Sequence, residues 1–296
     1  MPEFKKPALE DRQWASECVN ASGLMGCEYS FSNIYIWSET YKTKIARYKD
    51  FLIARSGSGN EVRYSMPAGR GSIKEPLDEI IKDAGQTGGA VRLYGVTEPH
   101  IAVINELYPG RFSFQEYRDG FDYIYFTEKL ARLSGKKYHS KKNHLNSFLK
   151  SYVWEYRPID KSNIADCVEL HAKWREMDRN RDRTDLGHEV CALSLALEHF
   201  FELGMFGAII KADGQNVAFT LADRINDRVA DVHFEKAIDE FSGAYAAINQ
   251  MFCENALRGF EFVNREEDLG IEGLRKAKLS YHPDILLAKY TAVEND

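Results

Sequence analysis

Met205-Phe206-Gly207-Ala208-Ile209-Ile210-Lys211-Ala212-Asp213-Gly214-Gln215-Asn216-Val217-Ala218-Phe219-Thr220-Leu221-Ala222-Asp223-Arg224 reads as two apolar runs joined at Asp213-Gly214. An Asp-Gly pair between apolar segments is a strong hairpin signal, because both residues tolerate the positive φ that a two-residue turn demands. A second polar turn at Asn226-Asp227 leads into Val229–Phe234, which makes a three-strand meander. Phe241-Ser242-Gly243 follows, and then a helical pattern over Ala244–Leu257 with Ala247, Met251, Asn255 and Leu257 near helical spacing. A strand at Phe260–Val263, a polar turn, a short helix and a last strand around Ile285–Tyr290 complete this half.

The first half has the same order. Lys44–Tyr48, Phe51–Arg55 and Val62–Met66 form a meander that reaches Gly69-Arg70-Gly71. A helix over Ile73–Ala84, the strand Val91–Val96, a helix over Pro99–Tyr108 and the strands Phe112–Tyr117 and Phe121–Phe126 follow. Meander, glycine turn, helix, strand, helix, strand occurs twice, so the expectation is two copies of one α/β (α+β) unit. Chance similarity of two α/β halves is the alternative. The expected division is 1–134, a connecting helix over 135–152, and 153–296.

Length and composition agree with two domains. At 296 residues the chain suits two units of about 150 residues each. Hydrophobic content of 44% with 28% charged residues describes a soluble globular protein, and a net charge of -6 argues against indiscriminate nucleic-acid binding. No apolar run approaches the roughly 20 residues that span a bilayer. The N-terminus lacks the pattern of a secretion signal, so a cytoplasmic protein is expected. Cys18, Cys27, Cys167, Cys191 and Cys253 are scattered and odd in number, with neither a disulfide framework nor paired metal spacing. No His/Cys/Asp/Glu cluster has ligand spacing either, so no metal site is expected.

Two segments carry candidate chemistry. Phe262–Tyr281 runs from a strand through Asn264-Arg265-Glu266-Glu267-Asp268 into a short basic helix ending at Tyr281. Polar residues packed after a buried strand commonly line a site at the strand's end. Equally, Glu266, Glu267 and Asp268 can be acids favoured by the following helix dipole. Gly135–Tyr152 carries Lys136, Lys137, Lys141, Lys142 and Lys150 with no acid. On a helix, Tyr138, Leu145, Leu149 and Tyr152 share an apolar face, opposite Lys136, His139, Asn143 and Lys150. That outer face suits an anionic partner such as an RNA backbone, a lipid head group or a CoA phosphate, or it is an ordinary solvated surface.

Gly135–Asn146, Asn264-Arg265-Glu266-Glu267-Asp268-Leu269-Gly270 and Gly273-Leu274-Arg275-Lys276-Ala277-Lys278 resemble an uncharacterised bacterial family. That family is related to the C-terminal catalytic domain of phosphatidylglycerol lysyltransferases. Tyr94-Gly95-Val96-Thr97 and Arg118-Asp119-Gly120-Phe121-Asp122-Tyr123-Ile124-Tyr125 resemble it too. The resemblance implies a tandem duplication of two domains like the GCN5-related acetyltransferases (GNAT), as in the FemABX peptidyltransferases. Each would be a mixed, mostly antiparallel sheet flanked by helices. The lysyltransferases also carry a large membrane-embedded portion that this chain lacks, so lipid lysylation is not implied by the fold.

In the GNAT pattern a turn of Arg or Gln, two residues, Gly, one residue, then Gly or Ala holds the pyrophosphate of acyl-CoA on backbone N–H groups. The matching stretch is Glu240-Phe241-Ser242-Gly243-Ala244-Tyr245. Gly243 is in place, but Glu240 is acidic and Tyr245 bulky, which speaks against ordinary acyl-CoA use. Gly69, Arg70 and Gly71 offer a second glycine turn, read as a phosphate cradle or only a turn.

Transfer to an amine needs a base and an acid. Alternation places His233 and Glu235 on one face of their strand, with Val232 and Phe234 on the other. Glu235 is the candidate base, His233 its assistant or replacement, and Tyr281 the candidate acid. Arg265, Lys276 and Lys278 are expected to neutralise donor charge beside Asn264 and Glu266. The structural alternatives are a hydrogen-bonded His233 inside the sheet, a Glu235 paired with Lys236 or Arg224, and a Tyr281 that only packs. His171 is expected in a core or at its edge. Arg175–Asp185 reads as a self-paired, mixed-charge loop. The function expected is acyl or aminoacyl transfer from an acyl-CoA or an aminoacyl-tRNA to an amine or hydroxyl acceptor, a small molecule or lipid head group. The alternative is a non-catalytic GNAT-like module that binds an anionic ligand.

Overall fold

The computed structural model describes residues 2–178 and 185–295. Both meanders form. Phe206–Ala212, Gln215–Asn226 and Val229–Ala237 pair antiparallel, and Phe262–Asn264 adds parallel to the third. Lys44–Tyr48, Phe51–Ser56 and Arg63–Ser65 do the same, and Arg92–Val96 adds parallel to Arg63–Ser65. Helices Lys74–Thr87 and Ala244–Asn255 occupy equivalent places between the third and fourth strands. At the hairpin, Asp213 (φ 49°) and Gly214 (φ 79°) both take the positive φ that the turn requires.

The described residues make two seven-stranded sheets, and each half contributes a strand to the other's sheet. Asp122–Phe126, from the first half, lies between Phe262–Asn264 and Ile285–Leu287 in the second sheet. Tyr290–Glu294, at the other end of the chain, lies between Arg92–Val96 and Phe112–Glu116 in the first. The single last strand expected over Ile285–Tyr290 is therefore two strands in different sheets. The chain leaves one sheet after Leu287 and joins the other at Tyr290, with the buried Lys289 in the crossing.

Apolar residues from both halves, Ile53, Leu93 and Ile104 together with Ile209, Phe219 and Phe234, form one continuous core on one side of the second sheet. A second core on the opposite face gathers Ala222, Val232, Ile248, Phe252 and Val263 beneath Ala244–Asn255. The connecting helix, His139–Ser151, packs there. Tyr138, Leu145 and Phe148 are buried, while Lys136, His139, Asn143 and Lys150 are exposed, with Asn143 Nδ2 3.4 Å from His139 Nδ1. The outer basic face thus lies where helical spacing puts it, and Phe148 is an inward residue that the reading omitted. His171 is buried, with neither ring nitrogen hydrogen-bonded, and burial pulls it down to about 4. Most of the mixed-charge stretch read at 175–185 lies outside the described residues. Among the described residues, no helix is long and apolar enough to cross a membrane.

Candidate functional site

Val229–Ala237 pairs with Phe262–Asn264 over only three residues, ending at Asp231 opposite Asn264. Beyond that point the two strands part, and side chains bridge the gap on both faces. Strict alternation would have put His233 and Glu235 on one face. A β-bulge prevents this, since Leu221 pairs with Phe234 and Ala222 with Val232, leaving His233 between them unpaired. Val232 and Phe234 consequently enter opposite cores. His233 reaches Asp223 and Glu266, whereas Glu235 reaches Asn249 and Arg265.

On the Glu235 side the centre is Arg265, the first residue past the strand. Its Nη2 donates to Glu235 Oε1 at 2.9 Å, and Asn249 Nδ2 donates to Oε2 at 3.1 Å. Neither Lys236 nor Arg224 pairs with Glu235. Lys236 binds Glu189, and Arg224 binds Asp227. The Arg265 guanidinium lies 4.9 Å from the centre of the Tyr281 ring, and the Lys141 ammonium lies 4.3 Å from the same ring. The Arg265 side chain is only 12% exposed, and its Nη1 is buried with no hydrogen-bond partner. Burial, with Arg265 close by, lowers the Lys141 pKa, and burial raises that of the Tyr281 phenol. Two cations and a protonated phenol therefore converge beside Glu235.

The opposite face is acidic. His233, 1% exposed in its side chain, joins Nε2 to Asp223 Oδ1 (3.0 Å) and Nδ1 to Glu266 Oε1 (2.9 Å), with Asp231 Oδ2 3.7 Å from Nδ1. Ser30 donates its hydroxyl to Asp223, and Asn33 its amide to Glu266. Burial lowers the His233 pKa, but the surrounding carboxylates outweigh it and hold the imidazole well above its usual range. Next to this cluster Lys289 Nζ sits 2.6 Å from Glu28 and 2.7 Å from Asp122. Cys27 Sγ contacts Asp122 (3.3 Å) and Glu267 (3.1 Å), and burial pushes the thiol well up.

The family-like segments meet around these two faces. Asp268, fully buried, accepts from Tyr123, Arg118 and Arg275, and Arg275 also reaches Asp119. Those hydrogen bonds hold the Asp268 carboxyl far below the usual carboxylate range despite its burial. Gly95 takes φ 66° beside Glu28, where an added Cβ would lie 2.2 Å from the Glu28 carboxylate. Only glycine fits both demands.

Other expected residues have plainer surroundings. Lys278 is buried and donates to the carbonyls of Arg265 and Glu267 at 2.5 Å each, so it ties the polar turn rather than facing a ligand. Asn264 holds Asp122 and the Met25 carbonyl. Lys276 is exposed. Gly243 (φ 88°) caps its helix, but a Cβ there would lie 2.3 Å from the His144 carbonyl oxygen. The connecting helix thus presses directly on the turn that the GNAT pattern reserves for pyrophosphate. Gly69 pairs with Phe51 in the first sheet, and Gly71 takes φ 111° in the exposed turn after it. Lys141, Asn249, Asp122, Asp223, Asp231 and Lys289 were not singled out by the sequence reading. Acids embedded in apolar strands, as in Leu221-Ala222-Asp223 and Val229-Ala230-Asp231, were the available signal.

Residues 21–293 match the family described as Phosphatidylglycerol lysyltransferase, C-terminal. The chain belongs to this family. A crystal structure of a conserved protein of unknown function from Bacteroides thetaiotaomicron superposes with a TM-score of 0.96 at 40% identity, covering 100% of both chains. L-PGS from Bacillus licheniformis superposes at 0.69 with 16% identity, over 98% of this chain and 92% of that one. FemX superposes at 0.61 with 10% identity, over 98% and 96%. At such identities the likeness shows the fold, a tandem pair of GNAT-like units. An uncharacterised protein of Mycoplasmoides gallisepticum is 25% identical over 175 residues, and the chain spans about half (54%) of its length. The family is thus one described for phosphatidylglycerol lysyltransferases, and the fold is shared with L-PGS and FemX.

Proposed function

We propose that the protein transfers an aminoacyl group from an aminoacyl-tRNA to an amine or hydroxyl acceptor, such as a lipid head group, in the groove of Glu235, Arg265, Tyr281 and Lys141. The observation that carries this reading is the buried, unpartnered Arg265 Nη1 between Glu235 and Tyr281. A donor fixed in a water-poor groove stabilises an oxyanion far better than one in solvent. The acceptor's nitrogen or oxygen attacks the ester carbonyl carbon, and Arg265 Nη1 donates to the developing oxyanion. Glu235 takes the acceptor's proton. The bond to the ribose oxygen breaks, and Tyr281 protonates that oxygen, then regains a proton from Glu235 through water, which resets both groups.

The exposed face of His139, Asn143 and Lys150, with Lys136 in the 3-10 turn just before them, lies on the same helix that sends Lys141 to Tyr281. Backbone phosphates on that face would lead a charged 3′ end into the groove. Acyl-CoA is the lesser reading, because the Gly243 turn is covered and Glu240 and Tyr245 stand beside it.

Replacing Lys136, Lys142 and Lys150 together by alanine is expected to weaken tRNA binding about 10–100-fold near 100 mM salt. The slope of log K against log salt should flatten by about 2–3. Filter binding across a salt series measures both. An unchanged slope would remove this face from the donor site, and saturable thermal stabilisation by acetyl-CoA would move the assignment to acyl-CoA.

A further inference from the structure

We infer that Asp231, His233 and Glu266 form a binding site for one divalent first-row metal ion, such as Mn2+, Fe2+ or Zn2+, with Asp223 orienting the imidazole. The site lies on the face of the sheet opposite the transfer groove and does not depend on the transferase reading. Its geometry follows from which ring nitrogen meets which acid. Nδ1 faces two carboxylates, Glu266 Oε1 at 2.9 Å and Asp231 Oδ2 at 3.7 Å, while Nε2 faces Asp223 Oδ1 at 3.0 Å. Around an ion bound at about 2.0–2.2 Å, neighbouring donor atoms stand about 3 Å apart. Glu266 Oε1 is at that separation from Nδ1, Asp231 Oδ2 at 3.7 Å is farther, and Asp223, Asp231 and His233 offer donor atoms within 4.8 Å of one another. A carboxylate on the other nitrogen is the arrangement that fixes a metal-bound histidine's tautomer and ring plane. Asp223 is fixed in turn by the Ser30 hydroxyl and the Ser32 N–H, and Glu266 by Asn33.

The independent observation is Asp231. It is 0% exposed, yet neither carboxylate oxygen has a hydrogen-bond partner. A buried carboxylate without donors is costly, and native proteins seldom keep one without a cation nearby. The neighbouring acid cluster shows the contrast. Cys27, Asp122 and Glu267 are also close enough to share an ion, but there Lys289 supplies the positive charge. Among the described residues, no lysine or arginine pairs with Asp223, Asp231 or Glu266, and the positive charge beside them is the imidazolium of His233, 3.7 Å from Asp231 Oδ2, whose Nδ1 proton a metal ion would displace. One imidazole nitrogen with carboxylate oxygens suits a first-row divalent ion better than calcium.

Mn2+ is the discriminating probe, because it does not favour the exposed thiol of Cys191. Full-length protein, stripped with chelator, is expected to bind one equivalent with micromolar affinity, and the electron paramagnetic resonance spectrum should show coupling to one nitrogen. Asp231→Asn should weaken binding at least 100-fold, and Asp223→Asn about 10–100-fold. Thermal stability makes the test robust to folding effects. Without metal, Asp231→Asn is expected to melt at or above the wild-type temperature. With Mn2+, the wild type should melt higher than the variant. No binding at 100 µM Mn2+, equal affinity in Asp231→Asn, or stabilisation by lysine or another amine in place of Mn2+ would overturn the assignment.

Discussion

Arg265→Met is expected to lower kcat for aminoacyl transfer by about 10²–10³-fold, the cost of one oxyanion donor. The KM for tRNA should change little, because the phosphate-facing lysines are on another element. The effect is large because the guanidinium is not an exposed charge. Glu235 holds one nitrogen at 2.9 Å, the Tyr281 ring lies against the group, and the other nitrogen is buried without a partner. Lysine cannot substitute, since one ammonium cannot both bind Glu235 and present a second fixed donor, so Arg265→Lys should rescue less than a tenth of the rate. Removing Arg265 also leaves Glu235 without its cation, and stability must be separated from chemistry. The double variant Glu235→Gln/Arg265→Met removes both charges. It is expected to recover melting temperature and remain inactive. Transfer within fivefold of wild type by well-folded Arg265→Met would end the reading of this groove as the reaction site.

The second large effect concerns folding. Lys289→Met should cost about 3–5 kcal/mol, measured from denaturant midpoints, because it leaves buried acids without their counter-charge. Burial alone would lower this lysine's pKa, but Asp122, Cys27, Glu28 and Glu267 outweigh it and hold the ammonium charged. Its partners come from three distant parts of the chain, and the cage closes only when all three are in place. A second variant, Asp122→Asn/Lys289→Met, takes out one charge of each sign and is expected to recover part of the loss. A loss below about 1 kcal/mol for Lys289→Met would mean that the acids are neutral without it.

Much of the architecture could be read before any coordinate. Asp213-Gly214, the alternating apolar runs and the helical spacing after Gly243 are local signals, and local signals place strands and helices within a few residues. The bulge at His233 was not legible, because it arises from how Val229–Ala237 pairs with its neighbour and not from its own composition. A shift of one residue was enough to separate His233 from Glu235. The division after Leu287 was hidden for a related reason, since one apolar run can serve two sheets only if tertiary partners divide it. Arg265 was singled out in the polar stretch and a family-like motif, and Tyr281 at the end of the basic helix that follows. Lys141 was seen as one lysine among several, because spacing on a helix does not show which lysine folds inward over an aromatic ring. Asp231 stands two positions from His233 on one strand, a pair that carries no ligand spacing in the sequence, so no metal site was expected there. Their partners stand on a neighbouring strand and in the turn after Asn264.

The exchange of strands between the halves has a consequence for a nascent chain leaving the ribosome. The first sheet stays open between Arg92–Val96 and Phe112–Glu116 until Tyr290–Glu294 is synthesised, and Asp122–Phe126 waits for partners encoded well over a hundred residues later. Neither half can therefore close its sheet until residues 285–294 have emerged, and the first unit stays incomplete while the second is made. A message cut short, or a stalled ribosome, would release a chain with unpaired strand edges in both halves, open to proteases and holdase chaperones. Arrival of Tyr290–Glu294 thus makes completion of the first unit wait on a segment that follows the second.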